Sequence, residues 1–151
     1  MGWTVTDAQA FAQTAHQGRS DGHGQPVMEH LEAVRERVEQ MGGDVTDQVA
    51  AILHHVSEAG ISPMQLELMG LQPRAVQIVD AMTLRPHETE DQQLRRVMDT
   101  PGAVRVLRAD LAHQLHPDQL LCIDENEREL TLGRCCHMLD VLNAEPELTF
   151  S

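Results

Sequence analysis

The sequence predicts an all-α domain, and three observations lead to that fold class. Helix-capping patterns recur at short intervals along the chain, and the apolar residues between them repeat at three- and four-residue spacing. Aromatic residues make up only 2% of the chain, so Ala, Val, Leu, Ile and Met must fill the interior, as they do well in helical folds. No stretch predicts a β-strand. The 151 residues are enough for one domain with a substantial core, so a single domain over residues 1–151 is expected.

The first three helices are predicted from their start and stop signals. Thr6, with Gln9 three residues later, has the pattern of a capping box. Gly42-Gly43 is a typical helix stop. Thr46 or Asp47 is expected to open the central helix. These signals predict helices over about residues 6–16, 28–41 and 46–60, with a glycine-rich loop over 17–26.

The remaining helices are predicted in the same way. Ser62-Pro63 and Thr100-Pro101 place proline in a first helical turn, where its missing N–H is tolerated, and Pro73 opens a further helix. The pairs Thr89–Gln92 and Asp124–Glu127 have the capping-box pattern. The helices that follow from these signals span about residues 62–70, 73–84, 89–99, 100–116 and 124–142.

Charge and composition exclude several kinds of partner. The formal net charge is -13, and the basic residues are all Arg. Such a surface repels nucleic-acid backbones and anionic membranes, so neither is expected as a partner. The chain has no apolar run long enough to span a bilayer and no signal-peptide pattern. Its three cysteines, two of them adjacent, imply no disulfide framework, so a cytoplasmic protein is expected, with its oligomeric state left open.

The central helix carries the most informative group of polar residues. Its aliphatic stripe is formed by Val49, Ile52, Leu53 and Val56. His54, His55 and Glu58 fall together on the opposite side, within an arc of roughly 100°. Imidazoles and a carboxylate on one helix face are groups that bind a divalent metal and move protons. The alternative is a solvated helix face that happens to carry two surface histidines.

Two other helices carry polar groups on or beside their apolar stripes. The stripe of the second helix is formed by Leu31, Val34, Val38 and Met41. His30 lies roughly 60° from its centre, where a satisfied core histidine is the alternative to a metal ligand. Asp110 and Gln114 lie on the buried side of the helix that follows Pro101. A carboxylate there is costly unless a cation meets it, and because Arg105 and Arg108 lie elsewhere on the helix, a metal is the more direct partner.

The remaining histidines and cysteines are weaker candidates. His16, His23 and His87 stand at helix ends or in loops, where a solvated role is expected. His113 is expected on the outer face of its helix. Cys135-Cys136-His137 has no second ligand pair at zinc-site spacing, so packing plus one exposed residue is expected.

Four segments, in order, resemble motifs of the HD superfamily of metal-dependent phosphohydrolases, and most closely those of its RelA/SpoT-type hydrolase domain. The first runs from Ala15-His16-Gln17-Gly18 through Gly24-Gln25-Pro26 to His30, and is similar to A-H-x-G-Q followed by G-x-P-Y-x-x-H. The others are Ala50–Gly60 (A-A-L-L-H-D-V-x-E-D-T), Val79–Thr83 (V-x-x-x-T) and Ala109–Gln114 (A-D-R-L-H-N). The resemblance covers about residues 7–142 and implies the HD-domain helical bundle of about seven or eight helices.

The resemblance also implies a site. Family members hold a divalent ion, usually Mn²⁺, through a first His, a His-Asp pair and a later Asp. His30, His54 and Asp110 match these ligands, and His55 stands in the place of the paired Asp. Glu58 matches the position that handles protons near the attacking water. The implied substrate is a small phosphorylated compound or nucleotide, since the family removes the 3′ pyrophosphate of guanosine polyphosphates.

The chain departs from this family at several positions. His55 replaces a carboxylate ligand, and Ala59 replaces the second carboxylate of a Glu-Asp pair. Asp21-Gly22 replaces a basic substrate-binding pair, while Val27 and Gln114 replace Tyr and Asn. A donor set with three imidazoles is softer and less negative, which favours Zn²⁺, Fe²⁺ or Ni²⁺ over Mn²⁺ or Mg²⁺. Loss of a carboxylate that transfers protons often lowers the rate by about 10²–10⁴-fold.

Three hypotheses for function follow. The first is an HD-type metal-dependent phosphohydrolase, in which His30, His54, His55 and Asp110 bind the ion and Glu58 handles the proton. The second is a degenerate, catalytically inactive HD domain that acts as a ligand-binding or interaction module. The third, a plain helical module without a site, leaves the inward Asp110 unexplained.

Overall fold

The computed structural model describes residues 2–17 and 27–144. Its elements in chain order are α1 (Val5–Ala15), α2 (Val27–Gln40), α3 (Val45–Leu53), a 3₁₀ turn (Val56–Ala59), α4 (Pro63–Leu68), α5 (Pro73–Ala81), α6 (Glu90–Met98), α7 (Ala103–Gln114), α8 (Pro117–Leu120) and α9 (Glu125–Ala144). No strand occurs in these two ranges, so the all-α prediction is confirmed. Of the loop expected over residues 17–26, residues 18–26, with His23 and Asp21-Gly22, lie outside the described residues.

The predicted capping signals are partly confirmed. The side chain of Ser62 accepts from the N–H of Gln65, and Thr89 accepts from Gln92, each closing a capping box as expected. The predicted box at Thr6 is wrong. Thr4 caps α1 instead. Its side chain accepts from the N–H of Asp7, and the Asp7 carboxylate accepts from the N–H of Thr4, which closes the capping box.

The central helix differs from its predicted limits at both ends. Asp44 is its N-cap, and Asp47, expected as an opening residue, is the reciprocal partner within the capping box. The α-helix ends at Leu53 rather than continuing to Gly60. The chain then makes a short 3₁₀ turn, so the two histidines at positions 54 and 55 lie at a change of helical geometry.

Helix α3 is the centre of the bundle. It packs against α1, α2, α5 and α7, and the whole run from Val49 to Leu53 has no exposed surface. The predicted stripe residues are therefore buried, but so are Ala50 and Ala51 beside them. The opposite side of α3 is consequently a second packing face, not a solvated one. His54, which continues that side, is buried as well, at 2% exposure.

The apolar stripes of the neighbouring helices are largely as predicted. Leu31, Val34 and Val38 of α2 are fully buried, and Leu111 of α7 is 1% exposed. Met41 is the exception, because α2 ends one residue before it and the side chain is 40% exposed. The buried stripes bring α2 and α7 against each other and against α3, which positions their inward polar groups.

A network of charged residues around one buried carboxylate joins three helices. The Asp47 side chain on α3 is almost fully buried and contacts Arg74 of α5 and Arg105 of α7, the latter through Nη1 to Oδ2 at 2.8 Å. Asp44 adds a second carboxylate to Arg74, at 2.6 Å. A buried carboxylate is tolerated only with such partners, so the network fixes α3 relative to α5 and α7.

Within the described residues, no helix is both long enough and apolar enough to cross a bilayer.

Candidate metal centre

The packing of α2, α3 and α7 brings together the four residues predicted as metal ligands. His30 comes from α2, His54 and His55 directly follow α3, and Asp110 lies on α7. One ligand atom from each lies within 4.8 Å of the others, so the four could together hold a metal ion. Three imidazole nitrogens and a carboxylate oxygen form a donor set that suits zinc and other borderline transition metals.

His54 presents one ring nitrogen to this cluster. Its Nδ1 donates to the backbone carbonyl of Ala51, and because a carbonyl can only accept, Nδ1 must carry the proton. The other nitrogen, Nε2, then has a free lone pair and lies 3.7 Å from Asp110 Oδ1. Among the described residues, His54 Nε2 is buried without a hydrogen-bond partner. A buried ring nitrogen with an unpartnered lone pair is typical of a histidine that ligates a metal.

Asp110 contributes the second orphaned atom. Its Oδ1 lies 2.8 Å from His30 Nε2, and among the described residues this buried oxygen has no assigned hydrogen-bond partner. Burial alone would raise the pKa of this carboxyl, but the facing imidazoles of His30 and His54 lower it well below its usual value. Asp110 is therefore ionised and aims one oxygen into the cluster.

His30 is oriented by a residue that the sequence prediction placed elsewhere. His113 was expected on the outer face of α7, but it is half-buried, and its Nδ1 lies 2.7 Å from His30 Nδ1. Burial first, and the nearby imidazole of His30 second, lower the pKa of His113 to about 4, so its ring is neutral. A neutral His113 can accept a hydrogen bond from His30 Nδ1–H, which leaves His30 Nε2 free as a ligand. Its spacing of three from Asp110 was the available signal, since such residues share a helix face.

His55 points to the cluster and not away from it. Its ring centroid lies 4.1 Å from that of His54 and 5.3 Å from that of His30. Adjacent side chains of a regular helix diverge by ~100°, so this pairing reflects the end of α3 at Leu53. His55 Nδ1 contacts Glu58 Oε2, which leaves Nε2 as the nitrogen available to an ion. The side chain remains 32% exposed.

Glu58 lies at the open side of the centre. The hydrogen bond from His55 lowers the pKa of its carboxyl, burial opposes this, and the nearby imidazoles of His55 and His54 add to the lowering. Glu58 is therefore ionised and can accept a proton. Its side chain is 59% exposed, so the centre meets solvent at His55 and Glu58, while His54 and Asp110 form its buried end.

The other candidates are not part of the cluster. The prediction that His16 is solvated is wrong, because the residue is only 4% exposed. His87 is exposed in a loop, as predicted. Cys135 is buried, as the packing interpretation predicts, but Cys136 and His137 are both exposed, so the expectation of a single exposed residue is wrong. The end of α1, where His16 lies, was expected to be solvated, but α1 packs on α3 and on the 3₁₀ turn.

No protein-family model matches the chain, and no curated protein matches it either. These comparisons therefore show no family for the chain, and the candidate metal centre is argued from its geometry alone. The structure supports an all-α bundle with a group of three histidines and one aspartate able to hold a metal ion.

Proposed function

We propose that the protein is an HD-type metal-dependent phosphohydrolase that acts on a small phosphorylated compound or nucleotide. One observation supports this above all: the ligand atoms of His30, His54, His55 and Asp110 converge within 4.8 Å, and two of these atoms are buried without a hydrogen-bond partner. These are the positions that the resemblance to the RelA/SpoT-type hydrolase domain assigns to the ion. A structural bundle has no need of such an arrangement.

The donor set favours Zn²⁺, Fe²⁺ or Ni²⁺. Asp110 is the single carboxylate among three imidazoles, and hard ions such as Mn²⁺ and Mg²⁺ prefer more oxygen ligands. A bound divalent ion would supply positive charge that acidifies a water molecule and neutralises phosphoryl oxygens. The tautomer that His54 adopts, with its proton on Nδ1, is already the one that such an ion requires.

The chain's own residues then have distinct roles. His54 and Asp110, at the buried end, fix the position of the ion and exclude water from one side of it. Glu58, ionised at the exposed end, is placed to take a proton from an attacking water and to return it to the leaving group. Ala59 supplies no second carboxylate, so Glu58 carries this role alone.

The metal is the first test of the proposal. Protein purified from cells and analysed for metal content, and then titrated with Zn²⁺, Fe²⁺ and Mn²⁺ after chelation, is expected to bind one of these ions tightly. Asp110→Ala is expected to abolish binding, and Asp110→Asn, which preserves shape, to weaken it strongly. Asp140→Ala removes an exposed aspartate of α9 and serves as the matched control. Equal binding by all variants would exclude this site.

Turnover is a separate test. The loaded protein, screened against nucleotides, guanosine polyphosphates and other pyrophosphate compounds, is expected to release phosphate or pyrophosphate. Glu58→Gln is expected to lower the rate by about 10²–10⁴-fold while the metal stays bound. Glu67→Gln, at an exposed glutamate of α4, is the control.

The second candidate function is a catalytically inactive HD domain that binds a metal or ligand. The contact between Glu58 and His55 Nδ1 favours it, because a carboxylate engaged in orienting a ligand is less available as a base. In that case the metal binds as proposed, but no substrate is hydrolysed with any ion. Metal content and phosphate release together therefore separate the two functions.

A further inference from the structure

The two oxygens of Asp110 have different partners. Oδ1 faces the imidazoles of His30 and His54, at 2.8 and 3.7 Å. Oδ2 accepts a hydrogen bond from Nε2 of Gln114, one helical turn further along α7, at 3.1 Å. A carboxylate turns easily about its terminal torsion, which has broad, weak minima. The hydrogen bond to Oδ2 is therefore what keeps Oδ1 aimed at the imidazoles.

Gln114 is held in turn from α9. Its Oε1 accepts from Nη2 of Arg134 at 2.5 Å and from Sγ of Cys135 at 3.7 Å. Arginine can only donate, so the amide oxygen of Gln114 must face Arg134. The amide thus has one orientation that satisfies both neighbours, with oxygen toward Arg134 and nitrogen toward Asp110.

The packing of α9 on the bundle is apolar. Of its twenty residues, Cys135 and Leu142 are buried, and Met138, Leu139 and Val141 are partly buried against the core. A second polar link joins α7 and α9, from Arg108 Nη1 to Asn143 Oδ1 at 3.1 Å, but it does not touch the centre. The contact of Arg134 with Gln114 is the link that leads from α9 to a metal-ligand candidate.

We propose that Gln114 and Arg134 are positioning residues of the metal centre, an inference that depends on the proposed metal site. Arg134 fixes the orientation of the Gln114 amide, and that amide holds Asp110 with Oδ1 turned toward His30 and His54. Outer partners of this kind, when removed, weaken metal binding by about 10–100-fold, because the ligand must be reoriented when the ion arrives.

The experiment is a titration of metal-free protein with Zn²⁺ against a competing chelator. Gln114→Leu and Arg134→Ala are each expected to weaken Zn²⁺ binding by about 10–100-fold. Arg134→Lys keeps a donor and is expected to recover most of the affinity. Arg108→Ala is the matched control, since it removes the other guanidinium between α7 and α9 and is expected to leave the affinity unchanged.

Each outcome decides between the alternatives. If Arg108→Ala and Arg134→Ala weaken binding equally, loose docking of α9 is the cause, and the positioning role is overturned. If wild type binds Zn²⁺ and neither Gln114→Leu nor Arg134→Ala changes the affinity, the positioning role is again overturned while the metal site stands. If wild type binds no Zn²⁺, Fe²⁺ or Mn²⁺, the metal site fails, and the positioning role with it. A double-mutant cycle on unfolding of the metal-free protein checks the Arg134–Gln114 contact itself, which requires non-additive effects.

Discussion

At the scale of single residues, hydrogen bonds to the imidazoles determine which ring nitrogens are free. His54 donates a hydrogen bond from Nδ1–H to a backbone carbonyl, His55 Nδ1 contacts a carboxylate, and His30 Nδ1 contacts the ring of His113. In each case the partner faces Nδ1 and leaves Nε2 for the cluster. Three rings with the same arrangement argue for one common ligand, since unrelated packing histidines would have no reason to agree.

His113 offers a test at this scale. His113→Leu removes the acceptor that faces His30 Nδ1, so His30 loses its preference for the tautomer with a free Nε2. We expect metal affinity to fall by about 10–100-fold. His113→Asn keeps an acceptor and is expected to recover part of the loss. His137→Ala, at an exposed histidine paired with Asp91, is the control, and a similar loss there would contradict the role of His113.

At the scale of secondary-structure elements, the end of α3 at Leu53 and the charged network around Asp47 are the decisive features. The first places two neighbouring histidines in one cluster. The second fixes α3 against α5 and α7. Gly102, the N-cap of α7, sits against this network with a φ of +88°. That approach requires a residue without a side chain.

Gly102→Ala tests the network. An added Cβ would lie 2.7 Å from Asp47 Oδ1 and 2.9 Å from Arg74 Nη1, and the positive φ is strained for alanine. Gly42→Ala is the matched control, because Gly42 has a φ of +87° and open space around its Cβ position. We expect Gly42→Ala to lower the free energy of unfolding by about 1 kcal/mol and Gly102→Ala by about 2–4 kcal/mol, measured by urea denaturation. Equal losses would show that only the backbone conformation matters.

At the scale of the whole molecule, the chain is strongly acidic, and its acid stability depends on particular ion pairs. Arg96 of α6 donates to both oxygens of Glu88, at 2.6 and 2.7 Å, and to the carbonyls of Asp80 and Thr83. The hydrogen bond from Arg96, helped by the N–H of Arg85, lowers the pKa of Glu88 to about 2. This pair ties the segment between α5 and α6 to the bundle.

The lowered pKa of Glu88 determines how its contribution to folding stability changes with pH. The folded-state pKa of Glu88 lies below its ordinary value of 4.5, so its stabilising effect is complete above that pH and is lost as the pH falls toward 2. Glu88→Gln is therefore expected to lose less stability than wild type between pH 6 and pH 3, measured by urea denaturation at both. Arg96→Ala, which removes the partner, is expected to be less stable at both pH values and also less pH-dependent. If Glu88→Gln loses as much stability between pH 6 and pH 3 as wild type does, this role of Glu88 is refuted.

Much of the architecture could be predicted from the sequence, because local signals decide it. Ser62 and Thr89 open helices where their capping boxes predict them, and the apolar periodicity identified the stripes that are buried. Asp110 was singled out because a carboxylate on an apolar face demands a partner, and the resemblance to HD-type motifs indicated the full set of four residues that the structure brings together.

The parts that could not be predicted depend on tertiary packing. A helical wheel assumes one regular helix with one buried face, so it missed the end of α3 at Leu53 and the burial of Ala50 and Ala51. His113 was placed outside even though it lies three residues from Asp110, because a helical wheel does not show that α2 covers that side of α7. Arg134 could not be connected with Gln114, since no local pattern links residues twenty positions apart.

The uneven exposure of the metal centre has a consequence for how such a protein can change. His54 and Asp110 are buried in the interior, whereas His55, Glu58 and Ala59 belong to a short turn at the solvent-exposed side of the candidate centre. Under the proposed function, substitutions at the exposed positions of that turn would change the reactivity of the centre while the buried residues beneath it keep their packing. A few replacements at the surface would then be enough to separate hydrolysis from ligand binding in the same helical bundle.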